Sequence, residues 1–291
     1  MTGNNAPGQT VLERLHKKSI SAKDIANQFW CEKQMELNYL HGTKYTPAMD
    51  KGQAIHAAMQ VEVYKPLTVE PASFSDRMYK TAYENIMTLN TLVEKRMARE
   101  LKVYGSINGY SLVGQIDELR MEDGSVVVVE NKTTESGRLT PKYTKPHQVQ
   151  AMLYRKMLGE IRSGEYGYRN LDIYYKFAGM QLSEGFRKGL ADIGVKPELM
   201  GVDTIFMRMF DAIKSMPQLS DSIIINYVSR RTNDHVSDIR LQYDKQGLAG
   251  DITYAMGYWT GQRQAVPVPE EDKWKCKLCR FFGKECKVWW T

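Results

Sequence analysis

The sequence contains no long apolar run. No stretch approaches the ~20 consecutive apolar residues that a transmembrane helix needs, and the first residues are polar where a secretory signal would be apolar. Internal repeats and low-complexity segments are also absent, which excludes a repeat or fibrous architecture. We therefore expect a cytoplasmic protein without a membrane partner, associated with the nucleoid if its source is prokaryotic.

A large excess of one charge is missing too. Lysine and arginine number 40 against 34 aspartates and glutamates, which gives a formal charge of +6 at pH 7. This balance permits a polyanionic partner without requiring one. With 291 residues, 42% of them hydrophobic, the chain can bury one large core, with or without an appendage.

Cysteine is scarce, with only 4 residues in the chain. Cys276, Cys279 and Cys286 lie close together, and Cys31 stands alone near the other end. In a cytoplasmic protein, clustered thiols favour metal binding over disulfides. Cys31 is the only thiol left to complete a four-thiolate site, which would join the two ends of the chain. Structural Zn²⁺ and an iron–sulfur cluster both fit four such ligands, and buried free thiols are the alternative.

The most informative stretch is residues 109–132, GYSLVGQIDELRMEDGSVVVVENK. Gly124 after an aspartate predicts a tight turn between two strands, and the valines at 126–129 are typical of a strand covered on both faces. Glu130 and Lys132 are two residues apart and therefore project from the same side of that strand. Asp117 can face them from the neighbouring strand.

Two carboxylates and an ammonium at one strand edge predict a divalent-cation site. Asp117 and Glu130 would hold Mg²⁺ or Mn²⁺, and the backbone carbonyl of Asn131 would complete the ligand set. Lys132 would orient a water molecule or stabilise the charge that develops when a phosphodiester is hydrolysed. The alternative is a surface ion pair between Glu130 and Lys132, which an isolated Glu-x-Lys triplet most often forms.

Hydrophobic spacing and turn signals divide the rest of the chain. Helices are expected at 19–40, 51–64, 75–100, 147–161, 201–216 and 249–262, and further strands at 101–107, 170–177, 223–228 and 236–243. The strand at 170–177 should join the sheet in parallel after a crossover helix, and the mixed polarity of 75–100 indicates a surface arm or lid. We expect a flexible start at 1–18, one domain over 19–263, and a linker with the cysteine tail at 264–291.

Further candidates flank the hairpin. His56 lies beside the apolar stripe of its helix, where a single histidine is about as often a structural residue as a ligand. Gln150 and Tyr154 are one turn apart on the helix at 147–161, so both can point back to the sheet. The segment before that helix is basic and could contact a phosphate chain. Its cations are Arg138, Lys142 and Lys145.

Asp117 followed by Glu130-x-Lys132 on adjoining strands resembles the core of the PD-(D/E)XK nuclease superfamily. His56 and the Gln150-x-x-x-Tyr154 pair resemble the additional motifs of its RecB-type branch. One cysteine before this core and three after it resemble the iron–sulfur subset of that branch. The strings SAKDIANQFWCEKQ at 21–34, GQIDEL at 114–119 and ENKT at 130–133 are most similar to the exonuclease V family.

The resemblance implies an α/β fold with a restriction-endonuclease-like mixed central sheet flanked by helices. It implies a metal-dependent exonuclease that acts on single-stranded DNA in repair or processing, with Mg²⁺ or Mn²⁺ as cofactor and a single-strand-binding protein or other repair factors as partners. His56, Asp117 and Glu130 would bind the metal, and Lys132 would be catalytic. Residues 75–100 would form an arch over the threaded strand.

The resemblance also assigns roles to the remaining motifs. Gln150 and Tyr154 would position the active site or the DNA strand. A [4Fe–4S] cluster would clamp the C-terminal tail onto the N-terminal helix, with Cys31, Cys276, Cys279 and Cys286 as its ligands. The six-residue gap between the last two cysteines differs from neighbouring families, so the type of cluster stays open.

Other functions fit parts of the sequence. A CRISPR-associated adaptation nuclease, which trims DNA before integration, would use the same chemistry. An inactive DNA-binding module with a zinc or iron–sulfur knuckle at 276–286 would not need an intact hairpin site. A redox protein would leave the carboxylates and lysine of that site unexplained.

Overall fold

The computed structural model describes residues 9–134 and 144–289. A mixed sheet lies at the centre and is flanked by helices, as the sequence predicted. In the described ranges its strands are β1 (Ile20–Ser21), β2 (Met97–Ile107), β3 (Tyr110–Glu122), β4 (Ser125–Thr134), β5 (Leu219–Ser229) and β6 (His235–Gln242). Consecutive strands from β2 to β4 are antiparallel, β4 and β5 are parallel, and β6 is antiparallel to β5. The short β1 lies parallel to the first part of β3.

Two tight turns set the register of the central hairpins. Asn108 and Gly109 join β2 to β3 with φ values of 50° and 80°, and Asp123 and Gly124 join β3 to β4 with φ values of 47° and 79°. Positive φ at both central residues matches the right-handed twist of the paired strands, and Asn-Gly and Asp-Gly supply it at the lowest cost. The predicted hairpins are confirmed.

The helices cover the sheet and extend its edges. Those of the described ranges are α1 (Val11–Arg14), α2 (Ala22–Ala26), α3 (Gln28–His41), α4 (Pro47–Val63), α5 (Phe74–Glu94), α6 (Thr144–Ser163), α7 (Tyr168–Tyr175), α8 (Glu184–Asp192), α9 (Val202–Lys214) and α10 (Lys245–Trp259). Across these ranges, none combines the length and apolarity needed to span a bilayer.

The core has two unequal parts. Val126 and Val128 belong to the main core, which includes the inner faces of α5, α6 and α9. Val127 and Val129 point to the opposite face and form a small second cluster with Ile224 of β5. The four valines are therefore buried on both faces of the sheet, as their continuous apolar run predicted.

The expected strand at 170–177 is wrong. These residues lie largely in α7, followed by a short 3₁₀ turn at Phe177–Gly179. Leu171 is fully buried while Ile173 is 72% exposed, so the segment packs by one helical face despite its strand-forming composition. The parallel partner of β4 is β5, which the chain reaches after α6 to α9.

The expected surface arm at 75–100 is also wrong. Helix α5 packs against β2 and α9, and residues from 97 onward already belong to β2. Tyr79, Ala82 and Leu92 are buried. The polar residue within this face is satisfied internally, since Asn85 donates to the backbone oxygen of Lys102 and accepts from its N–H. The mixed polarity of this segment therefore did not indicate a helix exposed to solvent.

The N-terminal region differs from its prediction at two places, residues 1–18 and the expected helix at 19–40. In the expected flexible start, Thr10 forms a capping box with Glu13, and Val11 and Leu12 are buried, so the described part of 1–18 is ordered against the core. The expected helix at 19–40 is divided into β1, α2 and α3. Within α3, Cys31 has the non-helical angles φ −168° and ψ 109°.

Candidate active site

The predicted catalytic residues meet where β3 and β4 separate. The place of separation, formed by Asp117 of β3 and by Glu130 and Asn131 of β4, is called the fork. The register of these strands ends at Glu118 opposite Val129, and Asp117 and Glu130 lie just beyond that pair. Here the backbone N–H of Asn131 donates to Oδ2 of Asp117 at 2.8 Å. Because N–H and C=O of one strand residue face the same neighbour, the Asn131 carbonyl also faces this fork.

Lys132 links the fork to the following helix. Its Nζ lies 2.5 Å from Oε1 of Glu130 and donates to Oε1 of Gln150 at 3.1 Å. The Gln150 amide in turn donates to Oη of Tyr154 at 2.9 Å. Glu130 is only 1% exposed, so the Glu130–Lys132 contact is not a surface ion pair.

Gly114 makes room for this helix. A Cβ at position 114 of β3 would lie 2.7 Å from a ring carbon of Tyr154. Such a contact is far inside van der Waals distance, so a side chain there would push Tyr154 and α6 away from the sheet. The glycine of the GQIDEL string is thus explained by the close approach of the Gln-x-x-x-Tyr helix.

His56 enters from α4. The buried Ile55 anchors this helix next to β2, and the His56 side chain lies over the fork. Its Nδ1 is 3.3 Å from Oε1 of Glu100 and 3.9 Å from Oδ1 of Asp117. Of the residues predicted for the active site, the structure therefore brings together His56, Asp117, Glu130, Asn131, Lys132, Gln150 and Tyr154.

Burial dominates the electrostatics of the fork. Burial, followed by the nearby charge of Glu130, raises the pKa of Asp117 to about 7. Burial alone would lower the pKa of Lys132, but the charges of Glu130 and Asp117 outweigh it and raise that pKa. The hydrogen bond to the Glu100 carboxylate raises the pKa of His56 against the effect of burial. The fork holds acids that repel each other and a lysine that stays charged.

The donor set fits a divalent cation. In the described part of the chain, Oε2 of Glu130 is buried and has no hydrogen-bond partner. An ionised oxygen without a partner is costly in the interior unless a cation compensates it. Carboxylate and carbonyl oxygens are the ligands that Mg²⁺ and Mn²⁺ prefer.

A buried ion network braces Asn131 from the opposite face. Glu118 is fully buried, and its carboxylate lies 3.1 Å from Arg99 and 2.7 Å from Arg120. It also accepts from the Asn131 amide at 3.4 Å, and that amide accepts from Asn226 of β5 at 2.6 Å. The strand that carries Glu130 and Lys132 is thereby held on both sides.

Glu118→Ala is expected to lower the free energy of unfolding by about 3–5 kcal/mol, because it leaves buried guanidinium charge uncompensated. Urea denaturation measures this. Glu122→Ala, which removes the partially exposed partner of Arg240, is the matched control and should cost ~1 kcal/mol or less. Equal effects of the two substitutions would show that the network adds no stability.

His147 in the first turn of α6 is expected to make the fold acid-sensitive. Burial, together with the charge of Lys132, lowers its pKa to about 3 from 6.5. The folded state keeps this ring neutral while the unfolded chain protonates it, so its stabilising contribution is complete above pH 6.5 and is lost as the pH falls toward 3. The slope is up to about 1.4 kcal/mol per pH unit.

Relative to the wild type, His147→Gln should gain up to about 1.4 kcal/mol in the free energy of unfolding per unit of pH decrease between pH 6.5 and pH 4.5, as measured by urea denaturation. The comparison removes the opposite contribution of Asp117, which both proteins share. The exposed His235 offers the control, because its replacement by Gln should leave the slope unchanged. A wild-type slope in the His147→Gln protein would contradict the assignment.

The four cysteines line one cavity beneath α3. Their tail docks on this helix through an edge-to-face contact of Trp274 with Trp30 and a hydrogen bond from Lys275 to the Trp30 backbone oxygen. Burial, with contributions from Cys279 and Cys286, raises the pKa of the Cys31 thiol. The broken helical geometry at Cys31 therefore occurs where this thiol meets the tail.

Of the three cations predicted to contact DNA, the structure describes only Lys145. Arg138 and Lys142 lie outside the described residues. Lys145 begins α6, pairs with Asp251 at 2.6 Å, and lies 5.3 Å from the ring centre of Phe29.

Sequence reasoning missed Glu100. It reaches the fork from β2, beside His56 and Asp117. No motif marks it, and the only available signal was a carboxylate on the strand that pairs with the one carrying Asp117.

Comparison with known proteins decides the family. A model described as "Exonuclease V - a 5' deoxyribonuclease" matches residues 11–125 and 198–290. The chain belongs to the exonuclease V family. The matched ranges contain His56, Asp117 and all four cysteines, while Glu130, Lys132 and the helix with Gln150 lie between them.

One curated relative agrees with this placement. Exonuclease V of Danio rerio is 24% identical over 280 residues, which cover 93% of this chain and 70% of the relative. Among solved structures, that of SSO0001 matches 92% of this chain and 90% of its own, with 12% identity and a TM-score of 0.43. The expected exonuclease V resemblance is confirmed.

Proposed function

We propose that this chain is a divalent-metal-dependent exonuclease that degrades single-stranded DNA. As a member of the exonuclease V family it is a DNA exonuclease. The unpartnered Glu130 oxygen, buried beside Asp117 and the paired Lys132, carries the proposal of metal dependence. The sheet order and the fork support a restriction-endonuclease-like fold.

His56, Asp117, Glu130 and the Asn131 carbonyl would hold the cation. When bound, Mg²⁺ or Mn²⁺ supplies Lewis-acid polarisation of the scissile phosphate and a more acidic water. The chain's own groups do the rest. Lys132 is held charged by Glu130 and aimed by Gln150, so its Nζ can hold the attacking water or stabilise charge on the phosphate.

Tyr154 acts indirectly. Burial raises its pKa well above the ordinary value, so its hydroxyl stays neutral at any working pH. It fixes the Gln150 amide, and Gln150 fixes the lysine. Because α6 carries both residues, its packing on β3 determines where the Lys132 ammonium lies.

The thiol cavity is proposed to hold a [4Fe–4S] cluster. All four cysteines line this one cavity, and thiolates are the ligands that such clusters take. The cluster would clamp the tail onto α3.

The family description as a 5′ deoxyribonuclease supports degradation from 5′ ends. Single-stranded DNA would be the partner of the fork, and a single-strand-binding protein or other repair factors would act with it. Lys145 at the start of α6, with Arg138 and Lys142 before it in sequence, would contact the phosphate chain.

One assay tests the proposal. The purified chain is incubated with an oligonucleotide labelled at its 5′ or 3′ end, as DNA single strand, DNA duplex or RNA, with Mg²⁺, with Mn²⁺ or with a chelator. We expect degradation of the DNA single strand that needs a divalent cation and releases the 5′ label first. Equal activity in the chelator would refute metal dependence, and preference for duplex would refute the substrate class.

A further inference from the structure

Glu100 holds an unfavourable backbone conformation inside a strand. Its φ is +57°, while Arg99 and Leu101 on either side keep their register with Glu118 and Ile116 of β3. Glycine and asparagine adopt this region readily, whereas a glutamate in it is strained. The positive-φ residues Asn108 and Asp123 lie in turns, whereas Glu100 lies inside β2, where the pairing with β3 is interrupted at this single residue.

The conformation turns the carboxylate into the fork. Oε1 of Glu100 lies 3.3 Å from Nδ1 of His56, and Oε2 accepts from the amide of Gln115 at 2.5 Å. One ligand atom from each of His56, Glu100 and Asp117 lies within 4.8 Å of the other two. The Glu100 side chain is 14% exposed, so the strained strand residue is directed to the site rather than to solvent.

The group so formed has the composition of a cation site. Two carboxylates and an imidazole converge from three elements, β2, β3 and α4. Glu130, which follows the last β3–β4 pair just as Asp117 precedes it, adds a further buried carboxylate oxygen that has no hydrogen-bond partner among the described residues. The three carboxylates among these groups repel one another when ionised unless a cation lies between them.

We propose that Glu100 is a direct ligand of the divalent cation, which it shares with His56 and Asp117. This ligand is additional to the set that the His, Asp and Glu-x-Lys motifs supply. The inference rests on the proposed metal dependence. Backbone strain at position 100 is retained because the carboxylate is needed at the fork, and the bound cation offsets its cost.

Two substitutions separate this role from mere support of His56. Glu100→Gln keeps a side-chain oxygen that can accept from His56 and Gln115 but removes the charge that a hard cation requires. Glu100→Gly removes the side chain and also relieves the strain at positive φ. Glu122→Gln, on the neighbouring strand and away from the fork, is the control.

The measurement is Mn²⁺ binding to the full chain without DNA, by the loss of the free-ion electron paramagnetic resonance signal, together with unfolding temperatures with and without Mn²⁺. We expect both Glu100 variants to bind Mn²⁺ at least tenfold more weakly than wild type and to lose most of the Mn²⁺-induced rise in unfolding temperature. Without metal, Glu100→Gly should unfold at a temperature no lower than wild type.

Wild-type Mn²⁺ affinity in Glu100→Gln would overturn the proposal, since an orienting role for His56 survives that change. A metal-free Glu100→Gly protein that unfolds well below wild type would also overturn it, because the residue would then stabilise the strand. If the wild-type chain binds no Mn²⁺, the proposed metal dependence itself fails, and that result is distinct from both others.

Discussion

Asp117→Asn is expected to reduce DNA hydrolysis by about a thousandfold or more while leaving the fold intact. Metal coordination lowers the barrier by several kcal/mol, and each 1.36 kcal/mol is a factor of ten in rate. Asp117 lies between His56 and the N–H of Asn131, so its carboxylate is shared by both sides of the fork. An amide keeps the hydrogen bond from Asn131 but is a poor ligand for a hard cation.

The same substitution has an expected effect on stability that depends on pH. Burial, with Glu130, raises the pKa of Asp117 to about 7 from 3.8, so the folded state holds a proton that the unfolded state releases. Without metal, the free energy of unfolding of the wild type therefore falls as the pH rises through this window, and the loss is complete above pH 7. Metal-free Asp117→Asn should be the more stable protein at pH 8, and the difference should vanish near pH 4.

Activity is measured on labelled single strands with Mg²⁺ or Mn²⁺, and folding by circular dichroism and urea denaturation. Asp192→Asn, at an exposed position of α8, serves as the matched control and should behave as wild type in both. Residual activity within tenfold of wild type in Asp117→Asn would refute the site assignment. A variant that is inactive and unfolded would be replaced by Lys132→Met, for which a loss of 10²–10⁴-fold is expected.

Cys31→Ser is expected to lose bound iron and the broad absorbance at about 400 nm that thiolate-bound iron–sulfur gives. Its thiol is the one proposed cluster ligand outside the C-terminal tail, so its loss should also release the tail from α3. The free energy of unfolding should fall by a few kcal/mol, because cluster binding stabilises only the folded state. Iron analysis, absorbance and urea denaturation measure these effects.

The control for this substitution is Met35→Leu, a volume-conserving change at a buried position of the same helix. It should cost less than ~1.5 kcal/mol and keep the iron. Full iron content in Cys31→Ser would show that the four thiols do not share one cluster. Loss of zinc with no iron in the wild type would show that the cavity holds a different metal.

Local signals predicted the part of the site that lies close in sequence. The turns at Asn108-Gly109 and Asp123-Gly124 fix the hairpins, and the two-residue spacing of Glu130 and Lys132 fixes the face they share. Spacing also placed Gln150 and Tyr154 on one face of α6. These inferences hold because they depend only on strand and helix periodicity.

Elements determined by distant packing could not be predicted in the same way. Leu171 and its neighbours favour a strand by composition, yet they form α7, which packs against α9 with Leu171 buried. Asn85 made α5 look exposed, although backbone groups of β2 satisfy its amide. Glu100 depends on a positive φ within a strand, which no pattern of residue types indicates.

Whether the enzyme needs a free DNA end tells an exonuclease from an endonuclease. One single-stranded oligonucleotide is prepared in linear form and ligated into a circle, and both are incubated with the enzyme and Mg²⁺ or Mn²⁺. We expect the linear strand to be degraded while the circle stays intact, since an exonuclease needs a free end. Cleavage of the circle at the rate of the linear strand would contradict it.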